Sequence, residues 1–178
     1  MPEILSTESV YEGRVLKVRV DTVRTPDGQT ARWDVIEHPG SVSIVPIGAD
    51  DRVLLVRQYR PAVGETLLEI PAGTLEAGEL PQATAHRELR EEIGMRAERL
   101  RAIGSYFLVP GYSSELMHAY VATGLSPAPL PRDADENISV VAIRFVDLVA
   151  QVSRGELRDA KTVAAVLLVA RDRGTGGS

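Results

Sequence analysis

The chain has 178 residues, a formal net charge of −5 and no cysteine. That length suits one domain with a core of its own. The missing thiols exclude disulfides and thiolate metal sites, and the acidic balance gives no support for binding long nucleic acid. Hydrophobic residues at 44% and charged residues at 25% are what a globular chain carries. No apolar run reaches transmembrane length, and MPEILSTESVYEGR has no basic start followed by an apolar stretch. The expectation is a cytoplasmic protein with no membrane partner.

In chain order, VYEGRVLKVRVDTVRTPDGQTARWDVIEH reads as two or three strands, with TPDGQ as a turn. SVSIVPIGADDRVLLVRQYRP reads as a hairpin of two apolar runs joined at GADDR, and ETLLEIPAG as a short strand entering a Pro/Gly loop. Residues 80–93 are the strongest helix candidate, and Gly94 sits where a left-handed C′ residue belongs. AERLRAIGSYFLVPGYSSELMHAYVATGL predicts two strands around the loop VPGYSSE. SPAPLPRDADEN is a polar, Pro-rich loop and ISVVAIRFV a strand. DLVAQVSRGEL and DAKTVAAVLLVARD predict helices, with Asp147 and Asp159 as N-caps. RGTGGS, residues 173–178, predicts a disordered tail. Strands and helices mix without regular βαβ alternation, which points to an α+β fold.

The helix at 80–93 carries Glu88, Glu91 and Glu92 on adjacent turns. Like charges at such spacings cost a helix roughly 0.2–0.5 kcal/mol per pair. The three acids span a sector about 100° wide on the helical wheel, while Ala85, Leu89 and Ile93 fall on the adjoining, core-facing sector. Acids at the edge of a buried face suit a hard cation such as Mg²⁺, which takes one or two carboxylates plus phosphate and water. A solvated helix with Arg87/Glu91 pairing is the alternative for the acid cluster alone.

The full spacing is more specific. Gly73, five residues, Glu79, seven residues, Arg87-Glu88-Leu89, one residue, Glu91-Glu92, one residue, Gly94-Met95 resembles the signature of the Nudix hydrolases at every specified position. The resemblance implies an α/β/α sandwich around a mixed sheet, preceded here by extra N-terminal strands. It places those strands in residues 1–40 and the Nudix domain in residues 41–172. It also implies hydrolysis of a nucleoside diphosphate derivative with Mg²⁺ or Mn²⁺. Carried onto this chain, Glu88, Glu92 and the Ala72 carbonyl become metal ligands, Glu91 a ligand or base, and Arg87 the residue that orients the acids, with Glu79.

EHPGSVSIVPI, VRQYRPAVGETLLEIPAG and Pro110, fifteen residues beyond Met95, resemble the ADP-ribose pyrophosphatase group. That likeness implies ADP-ribose as a small-molecule substrate and substrate contacts from Arg57, Arg60, Glu69, Thr74, Pro110, Gly111 and Glu115. It implies that Trp33, flanked by Arg32, stacks the adenine, since aromatic faces stack bases well, and that the N-terminal strands join a homodimer. The likeness also implies that a loop acid completes the metal site and acts on the attacking water. Glu136 matches best by its offset from ISV, with Asp133 and Asp135 as alternatives. Other nucleoside diphosphate derivatives (nucleotide sugars, FAD, dinucleoside polyphosphates) and a non-hydrolytic ligand sensor are the rival readings.

Overall fold

The computed structural model describes residues 1–13, 16–131 and 137–175. The N-terminal 40 residues, together with Tyr106–Leu116, form one compact unit; Ser41–Ser105 and Met117–Ser178 form the other.

The first unit is an antiparallel sheet in the order β1 (Glu3–Glu12), β2 (Lys17–Arg24), β3 (Thr30–Glu37). So the first stretch yields three strands. The expected turn closes between β2 and β3: Thr25 N–H donates to the Gln29 carbonyl at 2.9 Å, and Gly28 takes φ +86°, which a residue without Cβ adopts freely. On β2, buried Asp21 is held by the Thr7 hydroxyl at 2.8 Å and Arg19 Nε at 3.1 Å. The segment 106–116 is clipped to β3. Ile36 N–H donates to the Tyr112 carbonyl at 2.7 Å, and Ser114 N–H donates back to the Ile36 carbonyl at 3.0 Å. β1 is exposed along its whole length.

The second unit contains two sheets. One runs β10 (Ile138–Arg144), β5 (Arg52–Arg60), β6 (Glu65–Glu69), all antiparallel. The other runs β7 (Ala72–Thr74), β4 (Ser41–Pro46), β9 (Leu116–Pro127), β8 (Met95–Phe107). It is mixed, since β4 pairs antiparallel with β7 and parallel with β9. Side chains alternate across a strand, and β4 shows the consequence. Val42 and Ile44 join Ala85, Leu89 and Ile93 of α1 (Pro81–Glu92) in one core cluster. Val45 and the following Ile47 join the helices α2 (Phe145–Ser153) and α3 (Ala160–Thr175) in another. Apolar residues on both faces of β4 thus make an α/β/α sandwich, and β4 is buried throughout.

Three local expectations need correction. β4 and β5 do not form a regular hairpin. The GADDR turn closes, with Gly48 N–H on the Arg52 carbonyl at 2.8 Å, but only an Ile47–Val53 bridge follows. Both edges of β4 are taken by β7 and β9, so β5 pairs elsewhere. Asp147 does not cap α2. Strand β10 runs directly into the helix, Arg144 is the N-cap without a side-chain bond, and Asp147 lies in the first turn, ion-paired to Arg144 at 2.6 Å. An acid there still complements the helix dipole. Finally, α3 continues through Thr175, so residues 173–175 belong to the helix and not to the tail. Asp159 does cap α3, its Oδ2 accepting from Thr162 N–H at 3.0 Å.

Candidate active site

Helix α1 begins with Pro81 at its first turn, where a missing N–H is harmless. It ends before Gly94, whose φ of +69° is the left-handed stop expected from the sequence. Its core-facing stripe presses Glu88 and Glu92 inward: Glu88 is 7% and Glu92 2% exposed. Buried carboxylates require partners. Glu92 Oε2 accepts the Ala72 N–H of β7 at 3.0 Å. Glu88 lies against Gly73, where a Cβ would stand 1.8 Å from Glu88 Oε1.

Arg87 is the hub of the acids. Its Nε and Nη2 hold Glu79 at 3.2 and 3.0 Å, and its Nη1 reaches Glu88 at 2.7 Å and Glu91 at 2.9 Å. Its Nη2 also donates to the Thr74 carbonyl at 3.2 Å, tying α1 to the end of β7. Burial works against the Arg87 charge, but the Glu79 hydrogen bonds, the Glu88 charge and the Glu91 hydrogen bond outweigh it and raise its pKa above the ordinary value. Arg87 in turn lowers the Glu79 pKa, chiefly through its hydrogen bonds. One guanidinium shared by Glu79, Glu88 and Glu91 offsets part of the repulsion among them.

Among the described residues, no group of three or more His, Asp or Glu side chains is assembled for a metal ion. Two buried glutamates beside a backbone strand are nevertheless what Mg²⁺ asks of a protein, because it keeps waters and takes substrate phosphate as further ligands. The side-chain-free Gly73, which leaves the Glu88 carboxylate against the β7 backbone, fits that use. Glu136, Asp133 and Asp135 lie outside the described residues.

A second cluster surrounds Glu69, at the end of β6. It is 1% exposed and accepts a two-point clamp from Arg60 of β5, Nε at 2.8 Å and Nη2 at 2.7 Å. Lys161 of α3 makes a further ion pair to Glu69 Oε2. Burial alone would raise the Glu69 pKa; the Arg60 hydrogen bonds and the Lys161 charge prevail and hold it below the usual value. The next residues continue toward the acid helix. Ile70 N–H donates to Thr162 Oγ1 at 2.9 Å, the Pro71 carbonyl accepts from Ile44 N–H at 2.9 Å, and Ala72 meets Glu92. The structure thus brings Arg60 and Glu69 together, while Arg57 is exposed and, by strand alternation, on the opposite face from Arg60. The Thr74 side chain is exposed.

The other anticipated substrate residues lie in the first unit. Trp33 is 45% exposed. Arg32 is exposed and 3.6 Å from Glu8. Pro110 and Gly111 are exposed in a turn, and Glu115 is half-buried, its N–H on Ser113 Oγ at 3.2 Å. Sequence reasoning did not single out Lys161 and Thr162. The only signal was their place just after the Asp159 cap.

The site is thus an acid-bearing helix docked behind a glycine-containing strand of an α/β/α sandwich. The chain belongs to the Nudix family: the NUDIX domain matches residues 37–166, and the nucleoside diphosphate sugar hydrolase N-terminal domain matches residues 3–36. It is 37% identical to the methanol dehydrogenase activator of Bacillus methanolicus over 164 residues, 91% of this chain and 89% of that protein. It is 34% identical to the ADP-ribose pyrophosphatase of Bacillus subtilis over the same length, with the same shares of each chain. A crystal structure of an ADP compounds hydrolase superposes with a TM-score of 0.88 at 28% identity, covering 99% of this chain and 96% of that one. Nudix hydrolases generally use divalent cations. Among the described residues, no helix is long and apolar enough to cross a membrane.

Proposed function

We propose that this protein hydrolyses the pyrophosphate of ADP-ribose to AMP and ribose 5-phosphate with Mg²⁺, Mn²⁺ being an acceptable substitute. The observation that carries the reading is the buried pair Glu88 and Glu92 set against β7 at Gly73 and Ala72, with Arg87 shared among the neighbouring acids. The names of the Bacillus subtilis relative and the crystal-structure neighbour support the substrate class. Glu88, Glu92, the Ala72 carbonyl, Glu91 and Glu136 would hold the cation. When bound, it supplies Lewis-acid stabilisation of the charge that develops on the phosphates.

The chain's own groups do the rest. Arg87 fixes the carboxylates in one arrangement before substrate arrives, so that no reorganisation is needed during reaction. Arg60 offers a fixed guanidinium to the phosphate or ribose side. Glu136, or else Glu91, Asp133 or Asp135, takes the proton of the attacking water. The water oxygen bonds to one phosphorus, the bridging P–O bond breaks, and the released phosphate carries the electron pair away. Trp33 and Arg32, with Pro110, Gly111 and Glu115, serve the adenosine side. The protein acts as a cytoplasmic homodimer joined through its N-terminal strands, whose exposed β1 supplies a surface for pairing.

The test is turnover. Protein, Mg²⁺ and ADP-ribose should yield AMP and ribose 5-phosphate in equal amounts. The differing names of the relatives make a parallel screen of FAD, nucleotide sugars and dinucleoside polyphosphates necessary. Products from one of those alone would move the substrate, and no products from any would favour a ligand sensor. Light scattering tests the dimer, and a monomer at micromolar concentration would remove it.

A further inference from the structure

The buried carboxylate of Glu69 joins two cations of unlike exposure. The Arg60 side chain is 38% exposed, whereas that of Lys161 is 9% exposed. Arg60 spends Nε and Nη2, one edge of its planar fork, on Glu69. The other edge is therefore directed away from Glu69, as bidentate guanidinium geometry requires. Glu69 alone does not fix that direction, because a long carboxylate side chain can follow the guanidinium outward. Lys161 opposes the movement from the buried side, and is itself held by Asp159 Oδ1 at 3.0 Å. Asp159 is anchored in turn, since its Oδ2 caps the α3 N-terminus and accepts from Thr162 Oγ1 at 2.5 Å. The same Thr162 hydroxyl accepts from Ile70 N–H, beside Glu69. The run Asp159-Ala160-Lys161-Thr162 therefore does more than begin a helix: it pins both the backbone and the side chain at the end of β6.

We propose that Lys161 is a positioning residue that, through the carboxylate it shares with Arg60, holds the outer N–H edge of that guanidinium ready for the phosphates of a nucleoside diphosphate. The inference rests on the reading of Arg60 as a substrate contact and is tested by binding, independently of turnover. ADP serves as the probe, because it carries the nucleoside diphosphate without the linkage to be cut. Calorimetry is run on the full-length wild type, Lys161→Met, Lys161→Arg, Arg60→Ala and the Arg60→Ala/Lys161→Met double variant, each checked for a cooperative melt.

Lys161→Met is expected to weaken ADP binding about tenfold, a loss of about 1.4 kcal/mol. Lys161→Arg restores affinity to within about threefold, since it keeps the charge on Glu69. In the Arg60→Ala background the Lys161 substitution adds nothing further, because residues acting through one another are non-additive. A purely structural lysine gives additive losses instead, and that result overturns the proposal. So does unchanged ADP affinity in Lys161→Met, or a wild type that does not bind ADP. If Lys161→Met does not fold, Lys161→Gln takes its place in the same cycle. A wild type that binds ADP with this coupling but leaves ADP-ribose intact overturns the hydrolytic reading and keeps the role of Lys161.

Discussion

Glu88 occupies the space that a side chain at position 73 would need: a Cβ on Gly73 would lie 1.8 Å from Glu88 Oε1 and 2.0 Å from its carboxyl carbon. The glycine of the signature therefore lets the Glu88 carboxylate lie against β7, and any side chain at position 73 would require that carboxylate to move. This close approach leaves the carboxylate against the strand backbone that also supplies the Ala72 N–H to Glu92.

Gly73→Ala should force Glu88 off its position. Overpacking a filled site costs typically about 1–3 kcal/mol, so the melting temperature should fall and turnover should drop by more than about tenfold. Thermal denaturation and steady-state assays read the two effects. An alanine variant with wild-type rate would show that the Glu88 position is not critical.

Arg87→Lys keeps the charge but loses the fork. The guanidinium serves Glu79, Glu88, Glu91 and the Thr74 carbonyl at once, and an ammonium cannot span them. Loss of such an orienting partner costs about 10–100-fold in activity or metal affinity. A magnesium titration of the rate should show a higher half-saturating concentration. If neither rate nor titration moves, Arg87 is only a surface ion-pair partner.

Glu92→Gln removes a charge while its amide oxygen can still accept the Ala72 N–H. The fold should survive, with a melting temperature close to wild type, and most turnover should disappear. Activity within about threefold of wild type would remove Glu92 as a metal ligand, since lost ligands cost far more than that.

Glu69 sets a pH dependence. Its pKa in the folded protein is held below the unfolded value of 4.5. Between the two values the unfolded chain binds more protons, so stability rises with pH. The Glu69 contribution is thus complete above pH 4.5 and is lost as pH falls through the lower folded pKa. Glu69→Gln should melt several degrees below wild type at pH 7, with the gap closing in stronger acid. A gap that stays constant from neutral pH down to acid unfolding would show that the carboxylate charge contributes nothing there.

The sequence by itself determined the features whose cause is local. Helical periodicity places Ala85, Leu89 and Ile93 on the core side and Glu88 and Glu92 at its edge, and both are found there. Gly94 and the TPDGQ turn follow from the backbone freedom of glycine, and the spacing from Gly73 to Met95 identified the family. What only the tertiary structure decided involves residues far apart in the chain. Sheet pairing separated β4 from β5 because β7 and β9 arrive to claim both edges of β4. The Asp147 cap was lost because β10 leaves no loop before α2. Glu69 and Lys161, 92 positions apart, meet because β6 and the start of α3 converge in the fold. Such a pair has no period or spacing to betray it; the only force that demands it is the cost of burying a carboxylate without a cation, and that cost exists only once the chain has folded.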